Sequence, residues 1–488
     1  MIRKLARAGP GFVPARWSTS LTDSPDSPAR RLRVAVVGAG PAGLFTADAL
    51  VKNKSFDVSV DVFERWPTPY GLVREGVAPD HQSIKGVTRV FDRVLQHPAV
   101  RFFGNVRFGE DVTRQDLTRI YDQVAYAVGA QTDRRMGIPG EDLGGSWPAT
   151  DFVRWYNGQP ECADLSFELS AERAIVVGNG NVAVDVARIL LTDPEVLART
   201  DIADHALEAL RQSRVREVVL LGRRGPAQAK FTNVELKELG RLDGVDVVVA
   251  PEELELDYAS ASAVEEKRVA RNLEILHEYA ARETTDAPRR LTFRFLASPV
   301  ELLASDGGVA AVRLEKNQLA QSDDGYLVAK GTGECETIEA GLVFRSVGYL
   351  GVALPQVPFD DRRGVIPNRE GRVLAAPEGE LAAGEYAVGW IKRGPSGVIG
   401  TNKACAAETA ARMLEDAERL PARSDGASTD PDAILALLSE RCPDYVTADD
   451  WRRLDEVELA RGESGGRPRV KVVRVNEMLD LMRKRGEG

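Results

Sequence analysis

The sequence predicts an α/β protein with parallel sheets, and three segments of the chain are the basis of that prediction. Residues 31–50, 173–190 and 384–414 each run from an apolar strand through a Gly-rich turn into a helix, as in "RLRVAVVGAGPAGLFTADAL". A helix that follows a strand returns the chain to the same edge of a sheet, so the next strand lies parallel to the first. We therefore expect strands and helices to alternate around parallel sheets.

Length and composition limit what this protein can be. With 488 residues, 43% of them hydrophobic and 28% charged, the chain is typical of a globular protein of roughly two to three domains. Its 64 basic and 74 acidic residues give a net charge of −10, which argues against nucleic acid as the main partner. No apolar run approaches the roughly 20 residues that a membrane helix needs, so we predict no membrane span.

The four cysteines are far apart in the sequence. No CxxC pair occurs among Cys162, Cys335, Cys405 and Cys442. This spacing predicts a reducing compartment and argues against both a redox dithiol and a cysteine-ligated cluster. We assign no metal ligands from the sequence.

The first 31 residues differ in composition from the rest of the chain. No acidic residue precedes Asp23, and basic residues alternate there with small and apolar ones: Arg3, Lys4, Arg7 and Arg16. This pattern is typical of a mitochondrial transit peptide, which would place the protein in the matrix. The alternative that we favour is a disordered bacterial tail or an early start codon, with a cytoplasmic protein.

The first Gly-rich turn has the spacing of a dinucleotide-binding fingerprint. Gly38 permits a tight turn, Gly40 lets the backbone approach a pyrophosphate, and Gly43 lets helix and strand touch. The phosphates would lie at the helix N-terminus, where free N–H groups favour negative charge. Glu64 ends the next predicted strand, 21 residues after Gly43, and a carboxylate there accepts hydrogen bonds from ribose hydroxyls. Without a dinucleotide, Glu64 would be an ordinary solvated strand end.

The second Gly-rich turn repeats the pattern with one difference. Gly178 and Gly180 take the first two positions and Ala183 the third, and the strand that follows ends in Arg223 and Arg224 instead of an acid. A carboxylate would repel a ribose 2′-phosphate, whereas two guanidinium groups bind it. We therefore predict NADP rather than NAD at this site. The alternative is a pair of surface salt bridges.

Two nucleotide sites in one chain imply one bound redox cofactor and one exchanging partner. We expect FAD at the first site, which has the ribose acid, and NADPH at the second, with its nicotinamide against the flavin. At a third strand end, Trp390 and the "GPSG" of 394–397 precede a helix whose N-terminus would stabilise a reduced flavin. The alternative for Trp390 is a core aromatic.

His81 lies in the irregular "GVAPDH" loop, close to the first fingerprint. Spacing alone leaves two interpretations open. The side chain would either line the flavin and nicotinamide pocket or cap the turn that follows.

Several motifs together resemble one known family. "VVGAGPAG", "PYGLVREGVAPDH", "FVRWYNG", "GNGNVAVDVARILL", "GRRGP" and "GWIKRGPSGVIGTNK" are similar, in order, to those of adrenodoxin reductase and its bacterial ferredoxin–NADP reductase relatives. The resemblance covers residues 32 to about 475. It implies two Rossmann-like nucleotide-binding domains, with the NADP domain inserted into the FAD domain. The implied boundaries are an extension at 1–31, FAD domain at 32–133, NADP domain at 134–350, and the rest of the FAD domain with a C-terminal extension at 351–488.

The resemblance also implies the site residues. Positions that match the family's FAD contacts are Ala42, Glu64, Leu72, Val106, Trp390, Gly397, Val398 and Ile399. Positions that match its NADP contacts are Gly180, Asn181, Val182, Arg223, Arg224, Glu235 and Gly397. His81 and Glu235 match positions near the nicotinamide and flavin, and Asp185 matches a polar position hydrogen-bonded nearby. With the resemblance, we favour the functional interpretation of His81.

We therefore expect an FAD-dependent NADPH:ferredoxin oxidoreductase. Hydride would pass from NADPH to flavin N5, and electrons would then leave singly for an iron–sulfur ferredoxin. One alternative is an electron-input flavoprotein subunit like that of glutamate synthase, but such a subunit needs a cysteine-ligated N-terminal segment and residues 1–31 contain no Cys. The other is a non-enzymatic flavin-binding module, which has no need of Arg223 and Arg224.

An acidic ferredoxin requires a local positive field on a protein whose own net charge is negative. The predicted docking patch is Lys267, Arg268 and Arg271 in a charged helical segment, where Glu265 and Glu266 could instead pair with them. The basic "GRPRVK" at 466–471 is the second candidate.

Overall fold

The structure is a computed structural model that describes residues 31–322, 327–419, 430 and 432–483. The predicted N-terminal extension, 1–31, lies outside the described residues except for its last position.

The described chain forms eighteen β-strands. In chain order they are β1 (Arg31–Val37), β2 (Asp57–Phe63), β3 (Val100–Phe103), β4 (Gln123–Tyr126), β5 (Thr132–Asp133), β6 (Ser146–Pro148), β7 (Arg173–Val177), β8 (Glu217–Leu221), β9 (Val245–Val249), β10 (Arg289–Arg294), β11 (Ala297–Ser305), β12 (Gly308–Gln321), β13 (Leu327–Glu339), β14 (Leu342–Arg345), β15 (Tyr349–Leu350), β16 (Asn368–Arg369), β17 (Arg372–Leu374) and β18 (Leu381–Ala387).

The same residues form seventeen α-helices. They are α1 (Pro41–Val51), α2 (Leu72–Glu75), α3 (Gln82–Lys85), α4 (Thr88–Leu95), α5 (Arg114–Ile120), α6 (Ala149–Tyr156), α7 (Asn181–Leu191), α8 (Pro194–Leu197), α9 (Asp204–Arg211), α10 (Asn233–Leu239), α11 (Tyr258–Ala261), α12 (Lys267–Ala280), α13 (Trp390–Arg393), α14 (Ile399–Ala417), α15 (Ala433–Arg441), α16 (Ala448–Ser464) and α17 (Val475–Arg483). None of the helices in these ranges is long and apolar enough to cross a membrane.

The first sheet has seven strands in the order β16-β17-β18-β4-β1-β2-β3. Its five strands from β18 to β3 are parallel, and β16 and β17 extend it by antiparallel pairing. Alternate residues of β1 enter different clusters on the two faces, Val34 and Val36 in one, Ala35 and Val37 in the other. This explains why β1 is a continuous apolar run, since a parallel strand is covered on both faces.

The second sheet is formed entirely by the segment between the two halves of the first. Its order is β6-β14-β7-β8-β10-β9, and every pair is parallel. The chain leaves the first sheet after β4 and returns to it at β16. The predicted junctions at 133/134 and 350/351 lie at a two-stranded ribbon in which β5 pairs with β15. The predicted α/β class, with one Rossmann-like unit inserted into another, is confirmed.

A third sheet was not foreseen by the sequence analysis. Strands β11, β12 and β13 form an antiparallel meander attached to the inserted unit. Its inner face packs on the second sheet through Leu302, Val312 and Leu314 against Ile175 and Val219. Strand β13 is largely exposed, so it has little apolar signal for a sequence analysis to detect.

The C-terminal segment between α16 and α17 passes over both units. Arg467 donates to the carbonyl of Thr200 at 2.9 Å and pairs with Asp204. Lys471 is buried and donates to the carbonyls of Arg74 and Asn157, each at 3.1 Å. This segment therefore links the first unit, from which it comes, to the inserted unit.

Candidate active site

A cavity of about 980 Å³ opens between the two units. The carboxyl ends of strands from both parallel sheets face it, which is where α/β proteins bind ligands. The predicted residues that line it are Gly38, Gly40, Ala42, Glu64, Leu72, His81, Val106, Asn181, Val182, Asp185, Glu235, Trp390, Gly397, Val398 and Ile399. Predicted residues as far apart in the chain as Gly38 and Ile399 thus line one cavity.

The first Gly-rich turn follows β1 and is tightly packed. A Cβ on Gly38, whose φ is +108°, would lie 2.6 Å from the carbonyl oxygen of Ala127. A Cβ on Gly43 would lie 1.9 Å from the carbonyl oxygen of Gly38, so only glycine permits this contact of helix with strand. Gly43 is therefore structural and does not line the cavity. Gly40, by contrast, has only the Cα of Gly71 at 3.9 Å beside its Cβ position, which leaves room for a ligand to approach the backbone.

Glu64 lies where β2 ends, beside this turn. Its carboxylate accepts a hydrogen bond from the backbone N–H of Ala39 at 2.9 Å. Burial raises the pKa of Glu64, and the N–H group of Ala39 partly offsets that shift. The acid is therefore tied to the Gly-rich turn and faces the cavity from its wall.

Trp66 supplies an independent test of whether a ligand fits here. Its side chain lines the cavity and is only 6% exposed. Its indole Nε1 is buried and has no hydrogen-bond partner among the described residues. Buried donors are normally paired, so an unpaired one in a cavity wall fits a polar ligand such as a nucleotide. Sequence analysis missed Trp66, because an aromatic residue two positions after an acid has no distinctive spacing.

The third strand end completes the wall near the first turn. Gly389 has a φ of +74°, and a Cβ there would lie 2.5 Å from the Cβ of Ala42 in α1. The Trp390 ring lies 5.4 Å from that of Tyr349 and its Nε1 donates to the carbonyl of Ser396 at 3.1 Å. Helix α14 begins at Ile399, and the preceding Val398 is 58% exposed at the cavity edge. The predicted helix N-terminus does face this cavity.

The second Gly-rich turn follows β7 and has the same construction. A Cβ on Gly178, at φ +142°, would lie 2.3 Å from the carbonyl oxygen of Ser346, whereas no atom lies within 4 Å of one on Gly180. Gly178 and Gly180 do not line the cavity themselves, but α7, which starts at Asn181, does. The turn therefore leaves the helix N-terminus open to an anion.

Arg223 and Arg224 follow β8, the parallel neighbour of β7. Neither guanidinium has an ion pair or a side-chain hydrogen bond in the described part of the chain. Burial and the charge of Arg223 lower the pKa of Arg224. The pair lies outside the cavity lining, at the edge where the second turn ends. Two adjacent positive charges without a local acid form a site for an anion.

The three predicted catalytic residues belong to a cluster of charged groups. His81 Nε2 lies 2.8 Å from Glu238 and 3.6 Å from Glu235, and its Nδ1 lies 4.0 Å from Asp185. Arg188 is buried below them and contacts all three carboxylates at 2.9 to 3.3 Å. The cluster brings together α7, α10 and the loop that precedes α3.

Sequence analysis missed three members of this cluster: Asp80, Arg188 and Glu238. Helical spacing could have found two of them. Arg188 follows Asp185 by three residues on α7, and Glu238 follows Glu235 by three residues on α10, so each pair lies on one face of its helix. Asp80 forms a two-point pair with Arg188 at 2.8 and 3.0 Å. No spacing rule predicts that contact, since it joins segments 108 residues apart.

The cluster carries more negative than positive groups. Four carboxylates face one guanidinium and one imidazole. Burial raises the pKa of Asp185 to about 7, and burial also raises the pKa of Glu235. The cluster can therefore retain a proton near neutral pH. The distances among His81, Glu235 and Glu238 would allow them to bind a metal ion. Arg188 already pairs with both carboxylates. We therefore assign the three residues, with Asp80, Asp185 and Arg188, to an ion cluster and not to a metal site.

The predicted basic segments differ in structure. In α12, Arg268 pairs with Glu266 at 3.0 Å, and Arg271 pairs with Glu274 at 2.6 Å. In 466–471, Lys471 is buried, and Arg467, whose side chain is 10% exposed, pairs with Asp204 of the inserted unit. The charges of the second docking candidate serve mainly internal contacts, and its docking role stays a prediction.

Comparisons with known proteins agree with this geometry. Two dinucleotide-type turns that open on one cavity define an oxidoreductase of the pyridine nucleotide class, and residues 32–251 match the family described as Pyridine nucleotide-disulphide oxidoreductase. NADPH-ferredoxin reductase FprA of Mycobacterium tuberculosis (strain ATCC 25618 / H37Rv) is 49% identical over 458 residues, which cover 92% of this chain and 98% of that protein. NADPH:adrenodoxin oxidoreductase, mitochondrial, of Salvelinus fontinalis is 42% identical over 470 residues, 94% of this chain and 93% of that protein.

A solved structure extends the comparison to three dimensions. Mycobacterium tuberculosis FprA in complex with NADPH superposes with a TM-score of 0.88 at 48% identity, covering 93% of this chain and 100% of that one. The chain therefore belongs to the family of NADPH-ferredoxin and NADPH:adrenodoxin reductases. The family predicted from the motifs is confirmed, and with it the assignment as an oxidoreductase enzyme. FAD and NADP are the cofactors consistent with this family.

Proposed function

We propose that this protein transfers electrons from NADPH to a ferredoxin by way of FAD. The FAD-binding domain is 32–133 with 351–488, and the NADP-binding domain is 134–350. The similarity to an NADPH-ferredoxin reductase over nearly the whole of that protein supports this assignment. The cytoplasmic location stays a prediction.

The assignment of FAD to the first turn and NADP to the second rests on the contrast between the side chains that follow β2 and β8. Glu64 ends β2 as a carboxylate bound to the backbone of its own turn, a position suited to ribose hydroxyls. Arg223 and Arg224 end β8 as two cations without an acidic partner in the described chain. A ribose 2′-phosphate carries close to two negative charges and is the ligand that such a pair fits.

The first unit would hold the isoalloxazine and adenosine parts of FAD along one wall. Gly40 leaves the backbone open to the pyrophosphate, Glu64 would accept from the ribose, and Trp66 Nε1 would donate to a polar atom. The N-terminus of α14 faces the same wall and favours negative charge on a ligand there. FAD bound at this site would supply the hydride-accepting and one-electron-donating chemistry that connects NADPH to a ferredoxin.

The ion cluster lies where ligands bound to the two units would meet. His81, Asp185 and Glu235 line the cavity where a nicotinamide bound at the second turn would meet the first unit. Oxidation of one NADPH by two one-electron acceptors yields NADP⁺, two reduced acceptors and one proton. A cluster with two carboxyl groups of raised pKa is suited to accept that proton. We propose that these three residues orient the ligands and handle protons, while Arg188 holds them in place.

Docking of ferredoxin on Lys267, Arg268 and Arg271 is part of the proposal. The α12 helix displays these side chains on the inserted unit, although Arg268 and Arg271 are already paired with acids. A ferredoxin would therefore have to compete with Glu266 and Glu274. The expected contribution of this patch is small.

One anaerobic experiment tests the proposal as a whole. NADPH is added to the purified flavin-loaded protein, and the visible absorbance of the flavin should bleach, whereas NADH should bleach it poorly. Oxidised ferredoxin added next should restore the absorbance. A flavin that NADPH leaves unbleached would favour the non-enzymatic module, and bleaching without recovery would exclude ferredoxin as the acceptor.

A further inference from the structure

The loop with Arg223 and Arg224 is held from one side by the backbone. Gly222 donates to the carbonyl of Arg294 at 2.8 Å, and Ala297 donates back to Gly222 at 3.2 Å. Leu296 donates to the carbonyl of Arg224, also at 3.2 Å. These contacts leave the carbonyl of Arg223, in the middle of the loop, to a different partner.

That partner is the side chain of Asn317. Its Nδ2 donates to the carbonyl oxygen of Arg223 at 2.8 Å and to Ser298 Oγ at 2.7 Å. Its backbone N–H donates to the carbonyl of Leu296 at 2.6 Å. Asn317 is 5% exposed, so these hydrogen bonds are shielded from water.

Asn317 lies beside an irregularity in the pairing of the third sheet. Asn317 lies on β12, where the pairing with β13 shifts between Glu315 and Asn317. The extra residues lie on β13, because Glu315 pairs with Cys335 and Asn317 pairs with Gly331, so that residue 316 alone faces residues 332–334. Such an irregularity interrupts the ladder beside Asn317. Through Asn317 the antiparallel sheet, which has no part in the two nucleotide-type turns, contributes a side chain to the loop that follows β8.

We propose that Asn317 is a positioning residue that determines selectivity for NADPH by holding the Arg223–Arg224 peptide in place; the inference rests on the proposed function of the two arginines. Adjacent guanidinium groups repel each other, and no acid in the described chain separates or neutralises this pair. The peptide between the two residues sets the direction in which both side chains leave the loop. Asn317 fixes that peptide through its carbonyl, so both arginines are prepared for one phosphate.

The alternative is that Asn317 only satisfies a buried carbonyl. That role predicts a loss of stability without a change in nucleotide preference, because an unsatisfied carbonyl destabilises the fold whatever nucleotide is bound. The two roles are therefore separated by the ratio of kcat/KM for NADPH to kcat/KM for NADH.

The test compares Asn317→Ala with a matched control, Asn272→Ala. Asn272 is also buried in the inserted unit and donates to a backbone carbonyl, that of Phe231, at 3.0 Å. With a small artificial electron acceptor, we expect Asn317→Ala to raise the KM for NADPH roughly five- to twentyfold while kcat and the NADH kinetics stay the same. Asn272→Ala should lower the melting temperature and leave the preference unchanged. Equal losses with both nucleotides in Asn317→Ala would overturn the proposal.

A combination of variants separates this inference from the proposed function. In the Arg223→Ala, Arg224→Ala background, Asn317→Ala should have no further effect on the KM for NADPH, because the groups that it positions are gone. If the double arginine variant keeps its NADPH preference, the proposed phosphate site is wrong. If it loses the preference and Asn317→Ala does not, only the inference about Asn317 fails.

A milder variant covers the case in which Asn317→Ala does not fold. Ser298→Ala removes the second acceptor of the Asn317 amide and keeps the contact with Arg223. It should shift the NADPH preference in the same direction by roughly two- to threefold. An unchanged preference in folded Ser298→Ala would count against the proposal.

Discussion

The ends of β2 and β8 occupy equivalent places in the two units but carry opposite charge. Each strand is the parallel neighbour of a strand that leads into a Gly-rich turn. Glu64 at the first end is hydrogen-bonded to its own turn, whereas Arg223 and Arg224 at the second have no acidic partner in the described residues. One turn geometry is therefore used twice, and the side chains at the neighbouring strand end differentiate the ligands.

Replacing Arg223 and Arg224, which follow β8, should have the largest effect, an increase in the KM for NADPH. Each charged hydrogen bond to a phosphate contributes about 1.5 to 3 kcal/mol, and about 1.4 kcal/mol corresponds to a factor of ten. We expect Arg223→Ala with Arg224→Ala to raise the KM for NADPH roughly a hundredfold or more and to leave NADH kinetics nearly unchanged. Steady-state assays with both nucleotides and an artificial acceptor measure the two constants.

A matched pair of arginines provides the control for this variant. Arg268 and Arg271 lie on the same unit and are paired with acids. Replacing both with Ala should leave both KM values within about twofold. Parallel losses with NADPH and NADH in the Arg223, Arg224 variant would show that the two residues support the fold instead of reading the phosphate.

Replacing Glu64, which follows β2, should lower both the flavin content and the thermal stability of the protein. A ligand that binds only the folded state stabilises it, and loss of the Glu64 hydrogen bonds to ribose should weaken binding by about 1.5 to 3 kcal/mol. Glu64→Ala should be purified with less flavin and melt several degrees lower, and added FAD should restore part of the melting temperature. Flavin content by absorbance and thermal melts with and without FAD measure both effects.

Glu64→Gln distinguishes the charge from the shape of this side chain. The amide keeps one acceptor oxygen and should lose less flavin than Ala. If both variants retain the wild-type flavin content, Glu64 does not hold the ribose.

The sequence was informative where chemistry follows from local spacing. The strand, turn and helix segments place Gly38 to Gly43 and Gly178 to Gly180 within a few residues of one another, and the structure builds both turns as their spacing predicts. The Asp80–Arg188 pair and the contact of Asn317 with Arg223 join residues 108 and 94 positions apart. The first contact depends on the packing of one unit on the other and the second on the contact of the third sheet with the loop after β8, and no periodicity in the chain encodes either.

The basic segment at 466–471 shows that the partners of charged residues could not be predicted from the sequence either. In the sequence, Arg467, Arg469 and Lys471 look like a surface patch. The structure surrounds them with Asp204, Asp455, Glu458 and Asp201. Charge composition indicates that cations need partners, but only the fold decides whether those partners are internal or belong to another protein.

Protonation of the ion cluster between the two units should change the free energy of unfolding with pH. Because the pKa of Asp185 is raised from its usual 3.8 to about 7, the folded protein holds this proton more tightly than the unfolded chain. The stabilisation is complete below pH 3.8 and is lost as the pH rises through 7. Asp185→Asn cannot titrate, so wild-type stability should fall relative to the variant between pH 4 and pH 8, by up to roughly 4 kcal/mol for a shift of about three pKa units.

Thermal melts of both proteins across this pH range check the prediction. The neighbouring Glu235 also has a raised pKa and should add a slope of the same sign in both proteins. Asp80, His81, Arg188 and Glu238 remain in both as well, so the difference between the two curves reports Asp185 together with its effect on the neighbouring Glu235. A difference that is constant with pH, or that grows toward low pH, contradicts a raised pKa.

The smallest expected effect concerns the arginines that, unlike Arg223 and Arg224, already have acidic partners. Reversal of Lys267, Arg268 and Arg271 to Glu should slow ferredoxin reduction roughly two- to fivefold and flatten its salt dependence, because a steering field acts on the association rate. NADPH reduction of a small acceptor should not change. The matched control reverses Lys52, Arg452 and Arg461, which are also exposed and paired with acids, for the same change in net charge. Equal slowing in both triple variants would mean that ferredoxin responds to the net charge of the whole protein, and a wild-type rate and salt slope in the first would place the docking surface elsewhere.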